Sequence, residues 1–188
     1  MKAKLFDGWS RPRLHVAAAI AHGHHVFFYI SDPTLAKDSN TSCEMIMHSL
    51  HEIRARGHQV DSLTIQADNT TREVKNGIVM RLAASLVSCG LISEAKLCSL
   101  GSGHSHEDID QCFGYAADHV RRNMNRAQTS DDVVESLQGW LDKLPRPYEP
   151  VRQAFKLDQC RDWRLGVRFP TKALAGGNLF QKCMCPAE

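Results

Sequence analysis

The sequence predicts an α/β fold, a mixed β-sheet flanked by helices, and three observations predict it. Two short apolar runs near the amino end are joined by a tight turn. Two later apolar runs each lead into a segment of helical periodicity. The helical segments open on hydroxyl or carboxylate caps and close on glycine or proline.

Residues 14–21, "LHVAAAIA", and 25–30, "HVFFYI", read as two buried strands around the turn "HGH". A shorter first strand is expected in "KAKLF", residues 2–6. After the polar loop "SDPTLAKDSN", Thr41 and Glu44 are spaced as a capping box. Ile46, Leu50 and Ile53 follow at helical spacing, and Gly57 is the stop. Residues 62–68, "SLTIQAD", read as a strand that ends on Asp68. Thr70 and Glu73 repeat the capping device, Val74, Ile78, Leu82 and Leu86 line a second helix, and Gly90 closes it.

"AKLCSLG" is another strand, followed by a Gly-Ser-Gly turn. Ile109, Cys112 or Phe113, Ala116 and Val120 then mark a third helix, with Ser105 as its cap. A fourth helix runs from a Ser130 cap through Val134, Leu137 and Leu141 to Pro145. Beyond Pro150 no clear element is legible. Antiparallel strands followed by alternating βα units give the ribonuclease H-like (RNase H-like) layout, three antiparallel strands and then parallel units. Residues 1–128 form that core, with or without its first strand, and 129–188 form a helical and irregular extension.

The 188 residues are 43% hydrophobic and 23% charged, an ordinary globular composition. No apolar run approaches the roughly 20 residues that span a bilayer, and "MKAKLFDGWS" lacks the apolar segment of a signal peptide. Seven scattered cysteines, an odd number, read as reduced thiols. Together these predict an intracellular protein. The net charge of +2 is uneven. Residues 59–120 hold four basic and eight acidic side chains, residues 151–188 seven basic and three acidic. An acidic centre with a basic flank suits a metal site beside a polyanion, and it suits a plainly solvated surface as well.

The stretch "LGSGHSHEDIDQCFG", residues 100–114, sets His104 and His106 beside Glu107, Asp108 and Asp110 within seven residues. Asp68 ends a predicted strand where a helix begins, a position from which α/β sheets present functional groups. If the acidic stretch opens the helix after the next strand, Asp108 and Asp110 emerge at the same sheet edge. Carboxylates brought together repel unless a cation lies between them. Mg²⁺ takes one or two carboxylates plus waters and phosphates. Two such ions about 4 Å apart clamp the attacking and leaving oxygens of a phosphodiester. The plainer alternative is a turn residue at Asp68 and a helix start that favours acids through its dipole.

His104, His106 and Asp108 also read H-x-H-x-D, which resembles the zinc motif of metallo-β-lactamase-fold hydrolases. That motif continues with a His where this chain has Ile109, and it needs two further histidines. Only His119 follows. His15, His24 and His25 read as surface or packed residues of the hairpin.

"RPRLHV…HG", "SDPTLAKDSN", "QADNTTREVKN", "GHSHEDIDQCFG" and "LDQCRDW" occur in this order. The order resembles a transposon-derived RNase H-fold domain family found in many copies in dinoflagellates and other algae. Distant relatives occur in oomycetes, plants and animals. The resemblance covers roughly residues 9–165. It implies kinship with the acidic-triad (DDE) transposases and integrases, hence metal-dependent phosphoryl transfer on DNA with Mg²⁺ or Mn²⁺, and a nuclear location. The implied acids are Asp68 and Asp110, with Asp108, Glu107 and His104 as accompanying metal-site residues. Asn69, Glu73, Lys75 and Asn76 line the same edge, and Ser105 stands where the family has Thr.

The family's first acid lies on an initial strand well upstream of "RPRLHV". Here Asp7 stands in for it only if "KAKLF" is that strand. Without it the two-metal site is incomplete, binds metal weakly and cleaves little. The chain is then a degenerate or truncated copy, or a non-catalytic nucleic-acid-binding or interaction module descended from a transposase. DNA is the implied partner, no membrane is expected, and a homo-oligomer is compatible with the family.

Overall fold

The computed structural model describes residues 14–67, 77–99, 108–123, 129–144 and 150–163. The predicted strand in residues 2–6 and the tail from residue 164 lie outside them. The described residues form a mixed α/β structure with four helices. They divide into two compact units. One holds the residues up to Ala36 and Gly114–Asp158, the other Lys37–Phe113 and the residues from Gln159 onward.

In the first unit, β1 (His15–Ala21) and β2 (His25–Ser31) form the predicted antiparallel hairpin, in unbroken register from His15↔Ser31 to Ala21↔His25. His24 N–H donates to the Ala21 carbonyl at 2.9 Å, and Gly23 takes the left-handed conformation (φ 79°) that the turn requires. The two strands were both expected to be buried. Only β2 is, at every residue, while β1 is half-exposed throughout. β1 is an edge strand of mainly alanine side chains, too small to draw a cover over themselves. β2 carries the aromatic residues, and His25 is packed flat on Phe27 with ring centroids 3.8 Å apart.

The third strand of this sheet falls where the sequence shows no clear element. β5 (Val151–Lys156) pairs in parallel with β2, giving the mixed order β1-β2-β5. Residues 129–158 thus share a unit with the opening hairpin, across the boundary expected at 128/129. Helix α4 (Ser130–Leu141) packs on β5 and β2, with Leu137 and Leu141 buried and Trp140 edge-on to Phe28. Its cap is Thr129 rather than Ser130. The Thr129 hydroxyl accepts from Asp132 N–H at 3.2 Å and the Asp132 carboxylate accepts from Thr129 N–H at 2.9 Å, a complete capping box.

Gln138 of α4 completes the outer edge of β5. Its Oε1 accepts from Ala154 N–H at 2.9 Å and its Nε2 donates to the Arg152 carbonyl at 3.2 Å, as a neighbouring strand would. Edge strands need such protection. Gln138→Ala leaves both backbone groups without this partner, and we expect it to cost about 1–3 kcal/mol. Urea denaturation measures the loss, and faster exchange of the Ala154 amide localises it. An unchanged Ala154 amide contradicts this role.

In the second unit, α1 (Ser39–Ala55) begins two residues before the predicted box. Asp38 is the cap, its Oδ1 accepting from Asn40 N–H at 2.8 Å. Thr41 is buried and Glu44 is engaged elsewhere. Gly57 (φ 83°) stops the helix as expected. α2 (Gly77–Ser88) is closed by Gly90, and its predicted caps Thr70 and Glu73 lie outside the described residues. β3 (Ser62–Ala67) and β4 (Glu94–Ser99) flank α2 in sequence and pair in parallel, from Ser62↔Glu94 to Ala67↔Ser99. Cys43, Met47, Leu50, Val79, Leu82, Leu86, Ile92 and Trp163 are its core, with Leu63 and Ile65 of β3 against it. α3 (Asp108–Asn123) is shared, its residues to Phe113 in this unit and the rest in the first. Its predicted cap Ser105 lies outside the described residues. Among the described residues no helix is long and apolar enough to cross a membrane.

Candidate metal centre

The register Ala67↔Ser99 sets the carboxyl ends of β3 and β4 side by side. Asp68 is the next residue in the chain after Ala67, and eight residues separate Ser99 from the start of α3. Asp108 and Asp110 lie in the first helical turn of α3 and are exposed. The helix dipole favours carboxylates there. Residues two apart on a helix do not face each other, so Asp108 and Asp110 point in different directions around α3. Asp7, Asp68, Asn69, Glu73, Lys75, Asn76, His104 and Glu107 lie outside the described residues. Among the described residues no group of three or more His, Cys, Asp or Glu could hold a metal ion.

The histidine of the zinc reading, His119, is engaged on both ring nitrogens. Its Nε2 is 3.1 Å from Ser136 Oγ, and its Nδ1 is 3.1 Å from Asn123 Nδ2. Asn123 Nδ2 also donates to the His119 carbonyl at 3.0 Å, which fixes the orientation of the amide. The amide N–H therefore donates to Nδ1, and Nε2 carries the ring proton and donates to Ser136. In this tautomer His119 neither offers a lone pair to zinc nor acts as base toward Ser136. Serine, histidine and asparagine in a row thus make a helix-to-helix tie, reinforced by stacking of His119 on Trp140. Cys43 is no alternative ligand either. Burial, then the Glu44 and Asp38 carboxylates, push its thiol up to about 12, so it stays protonated near neutral pH.

A polar cluster that the sequence did not reveal lies on the first turns of α1. Arg161 Nε is 3.2 and 3.0 Å from the two Glu44 oxygens, and Nη2 is 2.5 Å from Oε1. Trp163 Nε1–H donates to Glu44 Oε2 at 3.1 Å, and Trp163 N–H donates to Asn40 Oδ1 at 3.1 Å. The Arg161 guanidinium lies 5.0 Å from the Trp163 ring centre. Cys160 Sγ donates to Thr41 Oγ1 at 3.7 Å. The one signal in the sequence was the fragment "LDQCRDW" itself, which belongs to no regular element. Its partner Glu44 is 117 residues away, and the spacing of Glu44 from Thr41 reads locally as a helix cap.

Residues 7–166 match the protein-family model described as "Domain of unknown function (DUF7869)", and the chain belongs to that family. No curated protein and no solved structure matches the chain.

Proposed function

We propose that this chain is a transposase- or integrase-like protein of RNase H-like fold that carries out metal-dependent phosphoryl transfer on DNA. The observation that carries the reading is the parallel register of β3 and β4. It supports a common sheet edge for Asp68, next in the chain after β3, and for the acidic first turn of α3 that follows β4. The residues suit a hard divalent ion, with carboxylates arriving from separate elements and an exposed acidic helix start.

Asp68 and Asp110 hold the ions as second and third acids, with Asp7 in the place of the first acid and Asp108, Glu107 and His104 around them. Mg²⁺ or Mn²⁺, when bound, supplies Lewis acidity at the scissile phosphate. The Lys75 ammonium meets phosphate charge, and Asn69 and Asn76 orient the strand by hydrogen bonds. The nucleophile is water or a DNA 3′-hydroxyl. Such a protein acts in the nucleus, on DNA.

Incubation with a supercoiled plasmid, in Mg²⁺, Mn²⁺ or chelator, tests this reading. Cleavage or strand transfer is expected with either metal and not with chelator. Asp68→Asn and Asp110→Asn are each expected to lower the rate by more than about 100-fold, beyond the usual cost of losing a mere supporting partner. Cleavage that survives both substitutions contradicts the assignment.

A further inference from the structure

We propose that Gln159–Trp163 is a clasp that positions the carboxyl edge of β3 and β4 for metal binding, with Arg161, Glu44 and Trp163 as positioning residues. The inference rests on the reading of that edge as a metal centre. Its starting point is the direction of α1. At one end of the unit, the last turn of α1 and the end of α2 meet the beginnings of β3 and β4. Arg54 of α1 and the connections into the two strands, residues 57–61 and 90–93, enclose a polar cleft of ≈ 500 Å³ at this end. Arg54 donates to the Leu91 carbonyl there, and Ser93 N–H to the Asp61 carbonyl at 2.7 Å. α1 therefore runs antiparallel to β3, and its buried residues Cys43, Met47 and Leu50 belong to the core that touches Leu63 and Ile65.

The 17 residues of α1 span about 25 Å and the six of β3 about 20 Å. The first turns of α1, with Asn40, Thr41 and Glu44, accordingly lie toward the carboxyl end of β3. That is the end from which Asp68 follows. The clasp closes on those turns. It commits Arg161 to an internal pair: the guanidinium, on a side chain 35% exposed, is held in a fork by Glu44, whose side chain is only 16% exposed. Arg161 thus acts through α1 rather than on a phosphate. Trp163, 5% exposed, fills the space beneath as a member of the core. A free segment at this point lets the amino end of α1 shift relative to the strand ends, and metal sites lose affinity when their supports loosen.

Mn²⁺ affinity of the full chain, followed by electron paramagnetic resonance titration, tests the clasp. Parent, Arg161→Gln, Trp163→Phe and Asp110→Asn are compared at a temperature where circular dichroism shows each one folded. Trp163→Phe keeps an aromatic ring in most of the space Trp163 fills and deletes the indole N–H that Glu44 accepts. Both clasp variants are expected to bind Mn²⁺ about tenfold more weakly than the parent, a change that a purely stabilising contact does not produce in the folded protein. If the parent binds through Asp110 and the clasp variants bind equally well, the clasp proposal is overturned and the metal centre stands. If the parent does not bind Mn²⁺, the metal centre itself is overturned and the clasp proposal with it.

Discussion

Trp163→Ala is expected to lower the stability of the unit by about 3–5 kcal/mol, the range for truncating a buried aromatic side chain. Trp163 is in contact with the core of Cys43, Met47, Leu50, Val79 and Leu82 although it arrives from the far end of the described chain. Its loss opens a cavity and deletes the indole N–H that Glu44 Oε2 accepts. Arg161 also loses the ring beside its guanidinium. Urea denaturation at constant slope measures the effect. Trp163→Phe, which refills most of the cavity, is expected to recover more than half of it. A loss below about 1 kcal/mol for Trp163→Ala contradicts the placement of this side chain in the core.

The hairpin, α1, α2, β3 and β4 were legible because their apolar residues recur at strand or helix period between glycine stops. Gly57 and Gly90 both take positive φ at the helix ends where the sequence put them. Caps were harder to assign. "KDSNTS" and "QTSDD" each offer several adjacent hydroxyl and carboxylate side chains, any of which can accept the orphan N–H groups. The true caps, Asp38 and Thr129, differ from the predicted Thr41 and Ser130 by three residues and by one. β5 was illegible because "VRQAFK" lacks a strand pattern of its own. Its partners are β2, more than a hundred residues earlier, and the Gln138 amide, and neither leaves a local mark.

The candidate site divides in the same way. Its acids announce themselves by crowding, and the expectation of a common sheet edge comes from reading β3 and β4 as parallel units; the register bears out the parallel pairing of the two strands. The Glu44–Arg161–Trp163 cluster gave no such sign, because an ion pair across 117 residues has no periodicity. Glu44 three residues after a threonine was a plausible capping residue on local grounds. Its use for the clasp is a tertiary override of a local preference.

The central claim is that acids following β4, with Asp68 after β3, hold a divalent cation. A ligand bound only by the folded state must raise its stability, by about 2.7 kcal/mol when it is present at 100 times its dissociation constant. Removing one of two crowded carboxylates removes both that gain and, without metal, their mutual repulsion. Thermal unfolding of the parent, Asp68→Ala and Asp110→Ala in chelator, Mg²⁺, Mn²⁺ and Zn²⁺ is therefore the most direct measurement. Mn²⁺ or Mg²⁺ is expected to raise the midpoint of the parent, with neither substitution retaining the shift and both variants in chelator at least as stable as the parent. A midpoint that no metal moves, or that moves equally in all three proteins, contradicts the metal centre.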